Sequence, residues 1–400
     1  MSGLTLPIPV EFNSLLNVFK SCFSKPQFKN FCQLTGGIIL SSKSTVDHLS
    51  KVFVERDASS LNKFLTRSPW DENKVKTKLH RLLFKSTPNL NVFIGDDTLS
   101  EKPFAEVMEG ASIHYSNLKK TYCNGHSIVT TAFYTPQGCI PYEAKVYFRK
   151  ESAGQLQRQF QTKNQIMANI LDSASSKHDF EYFVFDSWYS NNLILKKVKA
   201  LGKKFITQIK SNRNVTIDRK KREIRNHYKN ISLGNYTYKT IKGELFRYYE
   251  TDGFINKIGT VRIIFCQMLI RENKEIQEWS QIYYLITNDM ISPTEKIIET
   301  YLKRNSIEFF HREAKQQLGM DKYQIRSIRG IERNLFLVIL TYVLLMLLNF
   351  LLMKRGIERQ TIGELRLYLR EDYYTNLLRK AKIINLSTKK HIAKNLAYAL

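Results

Sequence analysis

Four side chains within residues 301–315 have the types and the spacing to bind a metal ion and a phosphate. They are Tyr301, Arg304, Glu308 and Lys315. If this segment is one α-helix, with about 100° of rotation per residue, the last three lie within about 60° of the tyrosine and all four share a face. A carboxylate held among cations by a rigid helix could bind a metal ion and a phosphate backbone together. The alternative is a solvated stripe with ion pairs between residues four apart.

Two aspartates upstream extend this chemistry. Asp96 and Asp186 each follow a short apolar segment that predicts a strand, residues 91–95 and 182–185. Phosphodiester cleavage needs an activated water or hydroxyl group and a counter-charge for the leaving oxygen. Two divalent cations about 4 Å apart supply both, and such hard cations prefer carboxylate ligands. Asp96, Asp186 and Glu308 could therefore form one metal-binding cage, although a single strand-end aspartate is more often a turn or cap residue.

The segments around these residues alternate between strands and helices. Residues 126–134 and 142–148 are rich in β-prone side chains and flank a Pro-Gln-Gly turn, which predicts a hairpin. A helix at 155–171, a helix at 192–201 and a strand at 205–209 follow. This order predicts an α/β sheet with carboxylates at strand ends, as expected of a ribonuclease H-like core.

The chain on either side of this core has a different pattern. Residues 1–88 show helical periodicity, and we predict a helical N-terminal DNA-binding region there. Residues 211–285 begin with a basic run, which fits either a solvated face or a cover over DNA. Their β-prone pieces predict a β-rich insertion in a catalytic domain that spans 89–355. Ser292 is the predicted N-cap of the helix that carries residues 301–315. A helical C-terminal region is expected at 356–400.

The composition favours a nucleic-acid partner. The 400 residues include 62 Lys and Arg against 36 Asp and Glu, and the net charge of +26 is spread along the chain. Aromatic residues, 24 Phe and 21 Tyr, are interleaved with the basic ones, which favours nucleic acid over a membrane surface. The five cysteines form no C-x-x-C pair and the eight histidines no H-x-x-x-H pair, which argues against a zinc site. With no signal-peptide pattern at the N-terminus, we expect a cytoplasmic protein.

One apolar segment is long enough to cross a bilayer. Residues 335–353 are apolar except for Thr341, Tyr342 and Asn349. Basic residues flank both ends, so charge gives no orientation. A single such helix in a strongly cationic chain is better explained as the buried helix of a large core, and we expect no membrane association.

The motifs resemble those of a known family. The spacing of Tyr301, Arg304, Glu308 and Lys315 is similar to the Y-x2-R-x3-E-x6-K signature of insertion-sequence DDE transposases, which move DNA by cut and paste. Residues 96–98, Asp-Asp-Thr, resemble the family's D-x-[ST] first-acid motif, and residues 186–189 resemble its second-acid segment. The resemblance covers residues 90–350. Asp97 could replace Asp96 as the first acid, but Asp96 is favoured because it fits the D-x-T register and directly ends the predicted strand.

The resemblance implies a transposase that cuts double-stranded DNA at the terminal inverted repeats of its element and joins the ends to a target. Metal-activated water would attack the phosphate, and the freed 3′-hydroxyl would then attack the opposite strand or the target. Asp96, Asp186 and Glu308 would hold two Mg²⁺ ions, with Mn²⁺ as an alternative. Synapsis of two ends implies a homodimer on DNA, acting on a chromosome or plasmid in a prokaryotic cytoplasm.

Four further residues are implied to bind the DNA. Arg304 and Lys315 would neutralise phosphates near the cut, and Tyr301 would contact a phosphate or stack on DNA. Trp188 would stack on an extruded base, with a packed core aromatic as the alternative.

Two other functions use much of the same chemistry. A ribonuclease H-like nuclease would use the same acids without preference for inverted repeats. A transposon-derived DNA-binding protein without catalysis would share the charge, although the intact acids argue against it.

Overall fold

A computed structural model describes residues 10–383, apart from 42–44, 54–55, 87–89, 117, 137 and 273–274. The predicted C-terminal region at 356–400 is therefore only partly within the described residues.

The N-terminal part of the described chain is helical, as its periodicity predicts. A capping box starts the longest of these helices, because the Ser24 backbone amide donates to Gln27 Oε1 at 2.9 Å. The helices are α1 (Val10–Asn17), α2 (Lys25–Leu40), α3 (Val46–Phe53), α4 (Ala58–Thr66) and α5 (Glu72–Ser86).

A mixed sheet follows, and its order explains how distant residues meet. The strands and helices are β1 (Val92–Glu101), β2 (Ser112–Ser116), β3 (Thr121–Thr135), β4 (Gly138–Tyr147), α6 (Lys150–Gln155), α7 (Lys163–Ser175), β5 (Tyr182–Phe185), α8 (Asn192–Ala200) and β6 (Lys204–Gln208). β1 pairs antiparallel with β3 and parallel with β5, and β5 pairs parallel with β6. Every residue of β5 is buried, as expected of a central parallel strand with both faces covered.

The predicted β-rich insertion extends this sheet. Its elements are β7 (Asn214–Ile217), β8 (Lys220–Glu223), α9 (Ile224–Tyr228), β9 (Thr237–Ile241), β10 (Glu244–Ile255), β11 (Gly259–Glu272), β12 (Glu275–Trp279) and β13 (Tyr283–Thr287). β13 pairs with β6 on one side and with β11 on the other. The insertion is therefore joined to the core by a continuous hydrogen-bonded ladder.

The segment that carries the four signature residues is two helices, so the prediction of one continuous helix is wrong. They are α10 (Thr294–Leu302) and α11 (Asn305–Gln316). Between them, the amides of Lys303 and Arg304 donate to the carbonyls three residues earlier, which is 3₁₀-type bonding. The N-cap of α10 is Pro293, so the prediction of Ser292 is wrong. The Ser292 carbonyl oxygen accepts a hydrogen bond from Arg262 Nη1.

The apolar segment forms most of a helix that packs inside the fold. α12 (Ile328–Met353) has a mean hydropathy of 2.7 over its most apolar window and is long enough to span a membrane, but 72% of that window is buried. It contacts α2, α4, α5 and β4. α13 (Ile362–Ile383) then completes the described chain. Burial against these elements accounts for the apolar composition of α12 without a bilayer.

Candidate active site

Two aspartates lie side by side where the parallel ladder between β1 and β5 ends. The last paired residues are Gly95 and Phe185. The next residues, Asp96 and Asp186, leave the ladder at the same level, so the alternation of side chains along a strand directs both carboxylates to one face. The expectation that Asp96 ends its strand is wrong, because β1 continues to Glu101 on its other partner, β3. What ends at this level is the neighbouring strand β5.

Both carboxyl groups have a raised pKa. Burial is the largest cause in each, because it disfavours the charged form. The pKa of Asp96 rises to about 7, with the charge of Asp186 as the second cause and Arg304 opposing both. Arg304 also opposes the rise in the pKa of Asp186. Two partly buried carboxyl groups, one of which disfavours the charge of the other, are a setting in which a cation binds well.

Arg304 supplies positive charge to this pair. Its Nη1 lies 3.4 Å from Asp96 Oδ2, and its Nη2 donates to Glu308 Oε1 at 2.5 Å. Its Nε is buried and has no hydrogen-bond partner among the described residues. Leaving a buried donor unpaired costs about 1–3 kcal/mol. Nε is therefore the nitrogen of this guanidinium that is left for a further acceptor, such as an oxygen of a bound phosphate.

Arg304 links Glu308 to Asp96, because its guanidinium contacts both carboxylates. The Glu308 side chain is 54% exposed on the first turn of α11. Over residues 10–383, less the gaps given above, no three His, Cys, Asp or Glu side chains are close enough together to hold a metal ion. The three-carboxylate cage thus stays a prediction. Asp96 and Asp186 do fit a divalent cation, because their oxygens are hard ligands and a cation would offset their repulsion.

Asp97 lies on the opposite face of β1 and is already paired. Lys163 Nζ is 2.7 Å from its Oδ2, and the Tyr189 hydroxyl donates to its Oδ1 at 3.0 Å. Ser127 Oγ lies 3.4 Å from Oδ2. These contacts give Asp97 a structural role, tying α7 and the segment after β5 to β1. They favour Asp96 over Asp97 as the first acid.

Tyr301 lies behind the site at the end of α10. Its side chain is 7% exposed, and burial raises the pKa of its hydroxyl, which is next to Arg304. A ring this deeply buried is poorly placed to stack on DNA. Contact between its hydroxyl and a phosphate stays a prediction.

Lys315 contacts the backbone of β1. Its Nζ donates to the Leu99 carbonyl at 2.9 Å, and burial lowers its pKa. One turn earlier on α11, His311 Nε2 lies 2.6 Å from Thr130 Oγ1. Thr130 is the β3 partner of Asp96, and its Oγ1 lies 3.2 Å from the Asp96 carbonyl oxygen. Lys315 and His311 therefore hold α11 along the strands that carry the first acid.

His311 was not identified from the sequence. The available signal was its position three residues after Glu308, on the adjoining turn of the same helix. Burial lowers its pKa to about 3, so the ring is neutral at pH 7 and acts as a hydrogen-bonding group. The phosphate contact predicted for Lys315 remains untested, and its bond to Leu99 favours a positioning role.

Trp188 is exposed beside Asp186. Its side chain is 54% exposed, so the alternative that it is a packed core aromatic is wrong. Lys163 Nζ and Lys210 Nζ lie 5.8 Å and 5.4 Å from its ring centroid. Its backbone amide donates to Asp186 Oδ1 at 3.0 Å. An exposed ring between two lysines next to an acid suits contact with nucleic acid, and that contact stays a prediction.

A cleft of about 320 Å³ opens over these residues. One wall is formed by Asp96, Asp186 and the α10–α11 turn. The opposite wall comes from the insertion, with Phe246 on β10, Cys266 on β11 and Tyr283 on β13. The insertion therefore helps to shape the candidate site, while its predicted contact with DNA is untested.

The fold and the paired aspartates together define a class of protein. The core order β4, β3, β1, β5, β6, with β5 and β6 parallel to β1, is that of a ribonuclease H-like DDE core. The structure is similar to the piggyBac transposase in a cryo-EM structure of its synaptic complex with hairpin DNA. The similarity covers 98% of this chain and 82% of that chain, with a TM-score of 0.50 and 10% identity. At this identity it shows the fold alone.

The sequence itself gives the family. A family model described as DDE superfamily endonuclease matches residues 19–237, more than half of the chain. The protein belongs to the DDE superfamily endonuclease family, whose members generally use divalent metal ions. The matched region includes Asp96 and Asp186 and ends before Glu308. No curated protein sequence matches the chain.

Proposed function

We propose that the protein is a transposase that cuts DNA at the terminal inverted repeats of its element and transfers the ends to a target. The observation that carries this proposal is the pair Asp96 and Asp186, held at one level of the sheet with Arg304 against them. Family membership supports endonuclease chemistry. The Y-x2-R-x3-E-x6-K spacing supports transposition in particular.

The proposed reaction has two steps at one site. In cleavage, a water oxygen attacks the scissile phosphorus and the bond from phosphorus to the 3′-oxygen breaks, which frees a 3′-hydroxyl. In strand transfer, that hydroxyl oxygen attacks a phosphorus of the target or of the opposite strand, and the bond from this phosphorus to its own 3′-oxygen breaks, which releases a new 3′-hydroxyl. Asp96, Asp186 and Glu308 are the proposed ligands of divalent cations, Mg²⁺ or Mn²⁺, which when bound activate the attacking oxygen and stabilise the leaving one.

The other residues of the site have proposed roles in holding DNA. The unpaired Nε of Arg304 and the hydroxyl of Tyr301 would receive a phosphate near the cut. Trp188 would stack on a base, and Lys163 and Lys210 would contact the DNA backbone on either side of that base. The net charge of +26 supports a polyanionic partner, and two element ends imply a homodimer, working in a prokaryotic cytoplasm.

A strand-transfer assay tests the proposal. The substrate is linear DNA carrying the sequences that flank this reading frame, with a scrambled-end DNA as the control. We expect Mg²⁺-dependent nicking at the ends and joining to a target plasmid, with neither product from scrambled ends. Cleavage of both DNAs without joining would indicate a nuclease, and end binding without cleavage would indicate a DNA-binding protein without catalysis.

A further inference from the structure

The two-stranded ribbon of β2 and β3 exposes large apolar side chains on its outer face. Tyr115 and Tyr122 are direct cross-strand partners, and their rings meet edge to face at 5.4 Å. They are 49% and 69% exposed, and Ile113 on the same face is 48% exposed. A cross-strand aromatic pair usually stabilises a sheet by covering its core face. Here the pair faces solvent.

The inner face of the ribbon is docked on the core, which holds the outer face in place. The His114 ring lies 6.0 Å from the Tyr147 ring on β4. Ser116 Oγ donates to Glu101 Oε1 at 3.0 Å, at the end of β1. His114 and Ser116 are buried, so the alternation along β2 is complete, with polar residues inside and apolar residues outside.

The apolar surface continues beyond the ribbon. The loop after β1 lies next to it, because Asn124 Nδ2 donates to the Ala105 carbonyl at 2.9 Å. That loop exposes Phe104 by 95% and Val107 by 64%, and the ribbon turn exposes Leu118 by 91%. We define the ribbon patch as Phe104, Val107, Ile113, Tyr115, Leu118 and Tyr122.

The local charge indicates what the ribbon patch binds. Residues 101–122 contain three acidic and three basic side chains, a net charge of zero in a chain of +26. A surface that binds DNA is expected to carry excess positive charge. Two copies of a +26 chain repel each other over most of their surface, and least where the surface is neutral. Contiguous exposed apolar residues mark protein interfaces, and tyrosine is enriched in them.

We propose that the ribbon patch is the contact surface between two copies of this chain, packed face to face about a two-fold axis. Such an interface is self-complementary, so an apolar patch without net charge can meet its own copy. The ribbon projects past the active site, because the nine residue steps from Thr130, the partner of Asp96, to Thr121 span about 30 Å. The inference deepens the proposed function, since transposition needs two element ends together.

The test is the oligomeric state of the full-length protein by sedimentation velocity, over a concentration series in high salt, alone and with DNA carrying the element ends. Tyr122→Glu puts a charge at the centre of the patch. The matched control is Leu233→Glu, at a residue of the insertion with 70% exposure. We expect the wild type and the control to dimerise alike, and Tyr122→Glu to raise the dimer dissociation constant by about tenfold or more.

Three results would overturn the proposal: a wild type that is monomeric both alone and on DNA, a Tyr122→Glu variant that dimerises normally, or a variant that loses DNA affinity while its dimer persists. Circular dichroism and the thermal midpoint check that each variant is folded. A second variant, Tyr122→Ser, adds no charge and should also raise the dimer dissociation constant. A wild type that dimerises through the patch but fails to cut element ends would overturn the proposed function and leave this inference standing.

Discussion

Arg304 Nη1 lies 3.4 Å from Asp96 Oδ2, although 208 residues separate the two in the chain. The contact joins the turn between α10 and α11 to the middle of β1. It also favours the charged form of Asp96 beside Asp186, because the guanidinium lowers the pKa of both carboxyl groups against the effect of burial. The same guanidinium holds Glu308, so one cation connects the three predicted acids.

Glu308→Gln should stop cleavage and leave DNA binding largely intact. The substitution removes the charge of a proposed metal ligand but keeps the size of the side chain and the phosphate contacts, so we expect cleavage to fall by at least about a hundredfold. Nicking of labelled element-end DNA and a gel-shift titration measure the two effects. The matched control is Glu299→Gln on α10, whose partner Lys242 lies 3.7 Å away in a surface pair. A Glu308→Gln variant that cuts at the wild-type rate would show that Glu308 is not a ligand.

Asp96 should make a contribution to stability that falls, in a chelator, as the pH rises from about 4 to about 7. The pKa of Asp96 is about 7 in the folded protein and about 3.9 when unfolded. Between these values Asp96 binds more protons in the folded state than in the unfolded state, so its contribution to the free energy of unfolding decreases with pH, by a few kcal/mol at most. Buried histidines such as His311, whose pKa is lowered, contribute with the opposite sign, so urea denaturation across this range is compared between the wild type and Asp96→Asn.

Two comparisons isolate the contribution of Asp96. The free energy of unfolding of the wild type minus that of Asp96→Asn should fall with pH, because the amide does not titrate. Added Mg²⁺ should reduce this dependence, because the ion binds the charged carboxylates and competes with protons. Parallel pH profiles for the wild type and Asp96→Asn would rule out Asp96 as the source.

Lys315→Gln should slow cleavage without changing the salt dependence of DNA binding. Its ammonium group donates to the Leu99 carbonyl, so we expect the substitution to loosen α11 from β1 and to reduce the cleavage rate by about tenfold. Lys210→Gln, beside Trp188, is the comparison, and it should lower the salt slope by about one. A drop of about one for Lys315→Gln would instead establish the phosphate contact predicted from the sequence.

Arg333→Met should destabilise the fold by about 3–5 kcal/mol, because it leaves buried partners of a buried charge unpaired. Arg333 is 1% exposed on α12, where its Nε donates to Glu72 and its other nitrogens donate to carbonyls at the end of α4 and in the segment after it, including Ser68 at 2.8 Å. Urea denaturation gives the free energy of unfolding. Arg329→Met, the same change at an exposed position of α12, should cost less than about 0.5 kcal/mol. Equal effects of the two substitutions would contradict this role.

Much of the architecture could be predicted because its signals are local. The residues that signal each of these elements lie within a short stretch of the chain. This holds for the helical periodicity of the N-terminal part, for the hairpin of β3 and β4, and for the apolar segments of β1 and of β5. The DDE resemblance was likewise a matter of spacing. The family match confirms the DDE family, and it ends before the four residues of the signature. The division into three regions and the roles of the site residues stay predictions.

The sequence by itself determined which residues are available for the chemistry, because type and spacing are written along the chain. Only the tertiary structure decided which of them meet. The register of β1 against β5 directs Asp96 toward Asp186 and leaves Asp97 to Lys163, a choice that depends on a strand far along the chain. The β1 partners of Arg304 and Lys315, Asp96 and Leu99, lie more than 200 residues away, at separations that no local periodicity encodes.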